Sequence, residues 1–283
     1  PEDDWMWHED YNCCIGEFVW TGFDYLGEPT PYYTNWPSHS SLFGIVDLAG
    51  LPKDRYYLYR SHWNKAEETL HILPHWTWPG REGETTPIFV YTNYPSAELF
   101  INGVSQGVRT KDTSITADGT MEEPETATSF KRQQRYRLMW MDAVYEPGTV
   151  KVVAYDAEGN AVAQKEIHTA GKPHHIELKA DRTSIKADGK DLSFITVKVV
   201  DKDGNLCPMA DNEIIFKVKG AGSYCAGANG DPVSLESFQE PHMHVFSGMM
   251  TAIVSSSVEP GDIILEATSK GLKKATITIR SAR

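Results

Sequence analysis

The sequence predicts a mainly β protein: one βα unit of a larger TIM-type β/α barrel, followed by two immunoglobulin-like β-sandwich domains. Three observations carry this expectation. A short apolar run, Cys13 to Trp20, breaks into a loop rich in Gly, Pro, Tyr and Trp, and then into a helical pattern. From Thr85 the apolar period switches to two, the period of a strand with one buried face. Turn signals then recur at short intervals, among them Asn102-Gly103, Glu146-Pro147-Gly148 and Glu158-Gly159-Asn160. Short strands so punctuated indicate sandwiches.

Residues 1 to 11 are acidic and aromatic and read as a helix or turn leading into the apolar run. Cys13 to Trp20 reads as a strand buried on both faces, as in a parallel sheet. Thr21 to Pro52 is a long loop holding Pro29, Pro31, Pro37 and Pro52; loops of this length in compact domains usually carry function. Asp54 to Glu68 reads as a helix, because Tyr56, Tyr59, Trp63 and Ala66 recur at helical spacing and Pro52 suits a helix start. The domain bounds expected are 1–80 for the barrel unit, 81–171 for the first sandwich and 172–283 for the second.

In the first sandwich, Ile88 to Tyr91, Ala97 to Ile101 and Val104 to Arg109 read as strands, with Asn102-Gly103 as a hairpin turn. Asp112 to Ser129, with Asp118-Gly119 and Pro124, reads as a polar loop. Tyr136 to Trp140, Val150 to Asp156 and Ala161 to His168 read as further strands. After the linker Ala170 to Pro173, the second sandwich is expected from Ile176 to Ala180, Leu192 to Asp201, Glu213 to Lys219, Met243 to Val254, Asp262 to Thr268 and Lys273 to Ile279. Asp203-Gly204-Asn205 and Glu259-Pro260-Gly261 supply turns.

The totals narrow the function. The chain of 283 residues is 40% hydrophobic and 23% charged, ordinary for a soluble globular protein. Thirty-nine acidic residues against 27 basic ones give a net charge of −12. This disfavours nucleic-acid and anionic-membrane partners, which need basic patches. No apolar run approaches the roughly 18 residues of a membrane-spanning helix. The chain begins at Pro1, without Met or a signal peptide, and reads as an interior piece of a longer protein. No cofactor is expected: no phosphate loop, dinucleotide fingerprint or Gly-x-Ser-x-Gly elbow occurs. No Cys or His group has zinc-like spacing, although His242 and His244 alternate and His174 and His175 are adjacent. Asp201, Asp203 and Asn205 alternate as in a calcium loop but lack its closing Glu, so a hairpin turn is expected. Cys13 and Cys14 read as small buried residues; whether Cys207 and Cys225 pair is left open by spacing. Self-association into a homo-oligomer is also left open.

The stretch Gly16-Glu17-Phe18-Val19-Trp20-Thr21-Gly22-Phe23-Asp24-Tyr25-Leu26-Gly27-Glu28-Pro29-Thr30 resembles the last barrel strand of glycoside hydrolase family 2, most nearly the β-galactosidase-like enzymes of gut Bacteroidetes. The resemblance continues through Ser41 to Asp47, Tyr57 to Asn64 and His71 to Trp76, and the later segments resemble C-terminal β-domains of that family. It implies the C-terminal part of a retaining glycosidase acting on β-linked glycans, with a carbohydrate as partner and a periplasmic, outer-membrane-associated or extracellular location. Retaining glycosidases use two carboxylates about 5 Å apart. In the family both are glutamates on earlier barrel strands, so the resemblance implies that neither is in this chain and that the chain alone is inactive.

The candidate substrate-binding residues are Trp20, Phe23, Asp24 and Glu28; no catalytic residue and no metal ligand is assigned. Flat rings stack on the C–H faces of sugars and carboxylates accept from hydroxyls. Trp20 would form the floor of the sugar subsite, as the resemblance implies, against a reading as a plain core Trp. Phe23, Asp24 and Glu28 are rim contacts or, equally, loop packing and turn caps. Tyr32, Tyr33 and Trp36 extend the aromatic surface. Glu17 is set aside: on a strand it faces away from Trp20. His71, His75, Trp76 and Trp78 form a second aromatic cluster, read as packing between the barrel unit and the first sandwich. The rival reading is a non-catalytic carbohydrate-binding or surface-interaction module, weakened by the scarcity of aromatics in the second sandwich.

Overall fold

The computed structural model describes residues 1–122 and 125–283. The chain divides into two compact units: Pro1–Trp20 with Lys53–Thr169, and Thr21–Pro52 with Ala170–Arg283. The expected mainly β character is present; Pro124, read as part of the polar loop Asp112 to Ser129, lies outside the described residues.

The first unit opens with helix α1 (Glu2–Asp10), whose first turn holds Glu2, Asp3 and Asp4 where the helix dipole favours negative charge. Helix α2 (Asp54–Trp63) follows. It stops at Trp63 rather than Glu68 because Asn64 turns extended, and its Oδ1 accepts from the N–H groups of Ala66 at 3.0 Å and Glu67 at 3.2 Å. Strands β1 (Leu70–Leu73), β2 (Ile88–Thr92), β3 (Ser96–Ile101) and β4 (Val104–Thr110) come next, then helix α3 (Glu125–Tyr136) and strands β5 (Leu138–Trp140), β6 (Thr149–Tyr155) and β7 (Ala161–His168). They form two antiparallel sheets, β1-β2-β5 and β4-β3-β6-β7. Asn102 and Gly103 make the β3–β4 hairpin with φ of 50° and 81°. The period of two is exact along β3 and β6: Leu99 and Val152 face inward as a register pair, both fully buried. One core cluster draws on both sheets, with Val90, Leu99, Trp140 and Val152 among its members.

Helix α3 replaces part of the polar loop expected from Asp112 to Ser129. Its polar sequence hides it, because ion pairs rather than a broad apolar stripe hold it to the acidic α1. Arg132 meets Asp3 at 3.3 Å, Arg135 meets Asp10 at 2.8 Å and Glu9 at 3.0 Å, and Tyr136 donates to Glu9 at 2.9 Å. Arg137, just past the helix, pairs with the buried Glu2.

The expected strand Cys13 to Trp20 is absent: these residues form turns and irregular backbone. No described strand lies beside them, so their N–H and C=O groups have no ladder to join. Ile15 and Phe18 stand fully exposed, and Cys13 and Cys14 are exposed rather than buried.

The second unit holds β8 (His175–Ala180), β9 (Ser184–Lys186), β10 (Leu192–Val200), β11 (Glu213–Gly220), β12 (Gly222–Ala228), β13 (His242–His244), β14 (Met249–Ser256), β15 (Gly261–Thr268) and β16 (Ala275–Ala282). Sheets β12-β14-β10-β8 and β13-β11-β15-β16-β9 share one core, including Ile195, Val197, Ile214, Met250, Leu265 and Ile279. The run Met243 to Val254 is two strands rather than one, because Ser247 and Gly248 take positive φ and turn the chain. Strand β12 escaped the sequence pattern because Gly-Ser-Tyr-Cys-Ala-Gly-Ala lacks branched side chains. Asp201 sits under the expected Asp203-Gly204-Asn205 turn, accepting at 2.9 Å from the N–H groups of both Asp203 and Asn205. Cys207 is buried, Cys225 is exposed, and both are free thiols.

The loop 21–52 belongs to this second unit. It has no helix and no strand longer than single bridges, Phe23 to Val46, Leu26 to Ser40 and Val46 to Pro52. Its backbone reaches the sandwich where His39 N–H donates to Pro232 at 3.2 Å. Gly230 permits the close approach there: a Cβ on it would lie 2.3 Å from Asp47 Oδ2.

Candidate functional site

A cleft of about 500 Å³ opens on the first unit, with Trp7, Glu17, Trp20, Arg55 and Tyr59 among its walls. Helical spacing supplies two of its sides. Asp4, Trp7 and His8 lie at i, i+3 and i+4 on α1; Arg55 and Tyr59 lie at i and i+4 on α2. Sequence reasoning missed these residues, although that spacing was available to find them.

The third side is the irregular segment before Trp20. The Trp5 indole N–H donates to Glu17 Oε1 at 2.6 Å. Trp5 is fully buried, stacked on His62 at 4.3 Å with Tyr59 and Tyr136 edge-on, each 5.2 Å away. Glu17 is therefore fixed to the helical core. Burial pushes its carboxyl above the ordinary range, the Trp5 hydrogen bond opposes this, and the charge of Asp4 adds to it. Burial, with Glu17's charge behind it, pushes the Tyr59 hydroxyl up to about 12, so it stays a neutral donor.

The expectation that Glu17 faces away from Trp20 is corrected. Both line this cleft, because alternation holds only along an extended paired strand and this segment is not one. Trp20 is 70% exposed, so it is not a core residue; its indole presents an open face.

The loop candidates fall in the second unit. Phe23 is exposed. Asp24 is buried, and its Oδ1 accepts from Gly44 N–H at 2.8 Å, which braces the loop internally. Glu28 accepts from the Tyr25 hydroxyl. Tyr33 and Trp36 are largely exposed, and Tyr32 less so.

The histidine–tryptophan cluster stays within the first unit. Trp76 is buried in the core and donates to Glu146 C=O at 2.8 Å. His71 stacks on Tyr57 at 3.9 Å and meets Asp54 at 2.7 Å, which seats α2 on β1. His75 stacks on Trp78 at 4.0 Å, and Arg81 lies over the Trp78 ring. Among the described residues, no three His, Cys, Asp or Glu side chains are placed to hold a metal ion, and no helix is long and apolar enough to cross a membrane.

Comparison with known proteins places this architecture. The Glycoside hydrolase family 2 C-terminal domain 5 matches residues 176–278, and a domain of unknown function matches residues 83–163. The chain is 46% identical to Beta-galactosidase BoGH2A of Bacteroides ovatus over 271 residues, 95% of this chain and 29% of that protein. The chain is homologous to the C-terminal region of glycoside hydrolase family 2 enzymes. A solved family 2 member from Bacteroides cellulosilyticus superimposes with a TM-score of 0.84 at 29% identity, covering 100% of this chain and 38% of that one. A β-glycosidase from Bacteroides vulgatus does so with a TM-score of 0.78 at 32% identity, over 92% of this chain and 30% of that one. The chain thus spans about a third of the length of its family 2 relatives, and is homologous to their C-terminal regions.

Proposed function

We propose that this chain is the C-terminal portion of a retaining, β-galactosidase-like glycoside hydrolase acting on β-linked glycans. In this reading residues 1–80 are the end of its barrel, and two immunoglobulin-like accessory domains follow. The observation that carries it is the open indole face of Trp20, set beside Glu17 and Tyr59 in one cleft. An indole face suits the C–H surface of a pyranose, and the neutral Tyr59 hydroxyl suits a sugar oxygen. Asp24 and Glu28 brace loop 21–52 from within, by accepting from the Gly44 amide and the Tyr25 hydroxyl.

Retention requires an acid/base and a nucleophile about 5 Å apart. Glu17 is engaged by Trp5, and the family resemblance puts both working carboxylates on earlier barrel strands, so in this reading the chain alone has no turnover. The exposed Ile15 and Phe18 fit a segment that becomes a strand beside further barrel strands. The location proposed is periplasmic, outer-membrane-associated or extracellular. A homo-oligomer is compatible with this reading.

One observation favours a second substrate. Arg55 lines the cleft, and a guanidinium suits the carboxylate of a uronic acid. A putative β-glucuronidase of Formosa agariphila is 32% identical over 81% of this chain, itself matched over 20% of its length. Aryl β-galactoside and aryl β-glucuronide, given to the purified chain and to the parent enzyme, test these readings. The expected outcome is hydrolysis by the parent alone, with kcat/KM about tenfold lower or worse after Trp20→Ala in the parent. Turnover by the isolated chain that Glu17→Gln abolishes would overturn the proposal.

A further inference from the structure

A second cleft, of about 430 Å³, lies wholly within the second unit. Phe23 and Leu51 of loop 21–52 form one wall; Lys179, Asp181, Phe194 and Thr196 of the β8–β10 face form the other. The volume falls within the roughly 300–1,000 Å³ range of small-molecule sites.

Its chemistry is unusual for a sheet surface. Along β10 the inward Ile195 and Val197 are fully buried, while Phe194 points outward and is 43% exposed. Phe23 is 62% exposed. Two phenyl rings from distant parts of the chain thus open on one cleft, where a solvent-facing strand position ordinarily carries a polar side chain. The walls are held in place. Asp181 Oδ1 accepts from Phe194 N–H at 2.8 Å, and Asp47 Oδ1 accepts from Ala49 and Leu51 N–H at 2.9 Å each. A site so fixed binds without first ordering its own chain.

We infer that this cleft is an accessory saccharide-binding site, taking a segment of neutral β-linked oligosaccharide away from the point of cleavage. The inference rests on the glycosidase reading above. Aromatic faces receive the C–H surfaces of a pyranose, and the donors of Lys179, the acceptors of Asp181 and the hydroxyl of Thr196 match its hydroxyls. An apolar peptide would bury the Lys179 ammonium without giving it a partner. A sugar hydroxyl gives it an acceptor.

Calorimetric titration of the 283-residue chain with β-1,4-galactotetraose tests this. The expected result is saturable binding in the millimolar range, weakened about tenfold by Phe23→Ala or by Phe194→Ala and changed less than about twofold by Val104→Ala at an exposed position of β4. Lys179→Ala, at an exposed position of β8, provides a second variant that also weakens binding without touching the core. No saturable binding overturns the inference. So does binding that survives both phenylalanine variants, or that is lost with Val104→Ala alone. The titration needs no turnover, so its failure is separate from a failure of the parent enzyme to hydrolyse either aryl glycoside.

Discussion

The Trp5 indole N–H donates to Glu17 across 2.6 Å, and this bond ties the irregular segment before Trp20 to helix α1. Glu17→Leu leaves a buried N–H without an acceptor and should cost about 1–2 kcal/mol in thermal unfolding. Glu17→Gln keeps an acceptor and removes the charge, so stability at pH 7 should hold or rise. The folded carboxyl sits above its ordinary 4.5, so the native state holds this proton more tightly than the unfolded chain. Stability from this group is full below pH 4.5 and declines as pH rises through the folded value. The Gln variant should lack that decline, which unfolding scans across pH will show.

Arg135 connects α3 to α1 through Asp10 and Glu9. Arg135→Ala should cost about 1 kcal/mol, because the carboxylates of Asp10 and Glu9, both on exposed residues, lose their shared cation. For Asp10, burial acts to raise the carboxyl, but the Ala117 N–H and the Arg135 guanidinium outweigh it and hold it below 3.8. A depressed carboxyl stabilises the fold above pH 3.8 and loses that contribution as pH falls below it. Fluorescence of Trp5 and Trp7 should therefore report release of α1 on acidification in the wild type, and the Arg135→Ala variant should lose this step.

Asp201 holds the start of the second unit. Its carboxylate accepts from Gly171 N–H at 2.7 Å as well as from the turn amides. Burial alone would raise it; the Gly171, Asn205 and Asp203 donors hold it down at about 2. The sign is that of a depressed carboxyl: about 2 kcal/mol of stability, present above pH 3.8 and lost between there and pH 2. Asp201→Ala should remove this pH dependence and lower the urea midpoint at pH 7.

Gly230 lets loop 21–52 reach the second sandwich. Asp47 cannot simply swing aside, since its carboxylate holds the Ala49 and Leu51 amides. Gly230→Ala should cost about 1–3 kcal/mol and speed proteolysis within residues 21–52. Unchanged proteolysis would mean that the loop is held without this contact.

The legible parts were local. Asn102-Gly103 announced its hairpin because both residues tolerate positive φ, and Asp203-Gly204-Asn205 announced its turn through side chains that cap their own backbone. The period of two along β3 and β6 is written in adjacent residues. The Gly16 to Thr30 motif pointed to the family that the comparisons identify. Helix α3 was illegible because its stabilising partners lie 125 residues away, as Arg135 and Asp10 do. The strand expected at Cys13 to Trp20 followed from composition, yet a strand exists only where another offers it hydrogen bonds.

The sequence by itself determined the β periodicity, the turns and the family, because each depends on neighbouring side chains or on a contiguous motif. Tertiary structure alone decided that Glu17 shares a cleft with Trp20, that loop 21–52 packs with the second sandwich, and that Phe23 and Phe194 open on one surface. Those facts come from contacts between residues far apart in the chain. Such contacts form when acidic and basic helices pair and when backbones approach where a glycine leaves room, and no local window of residues records either event.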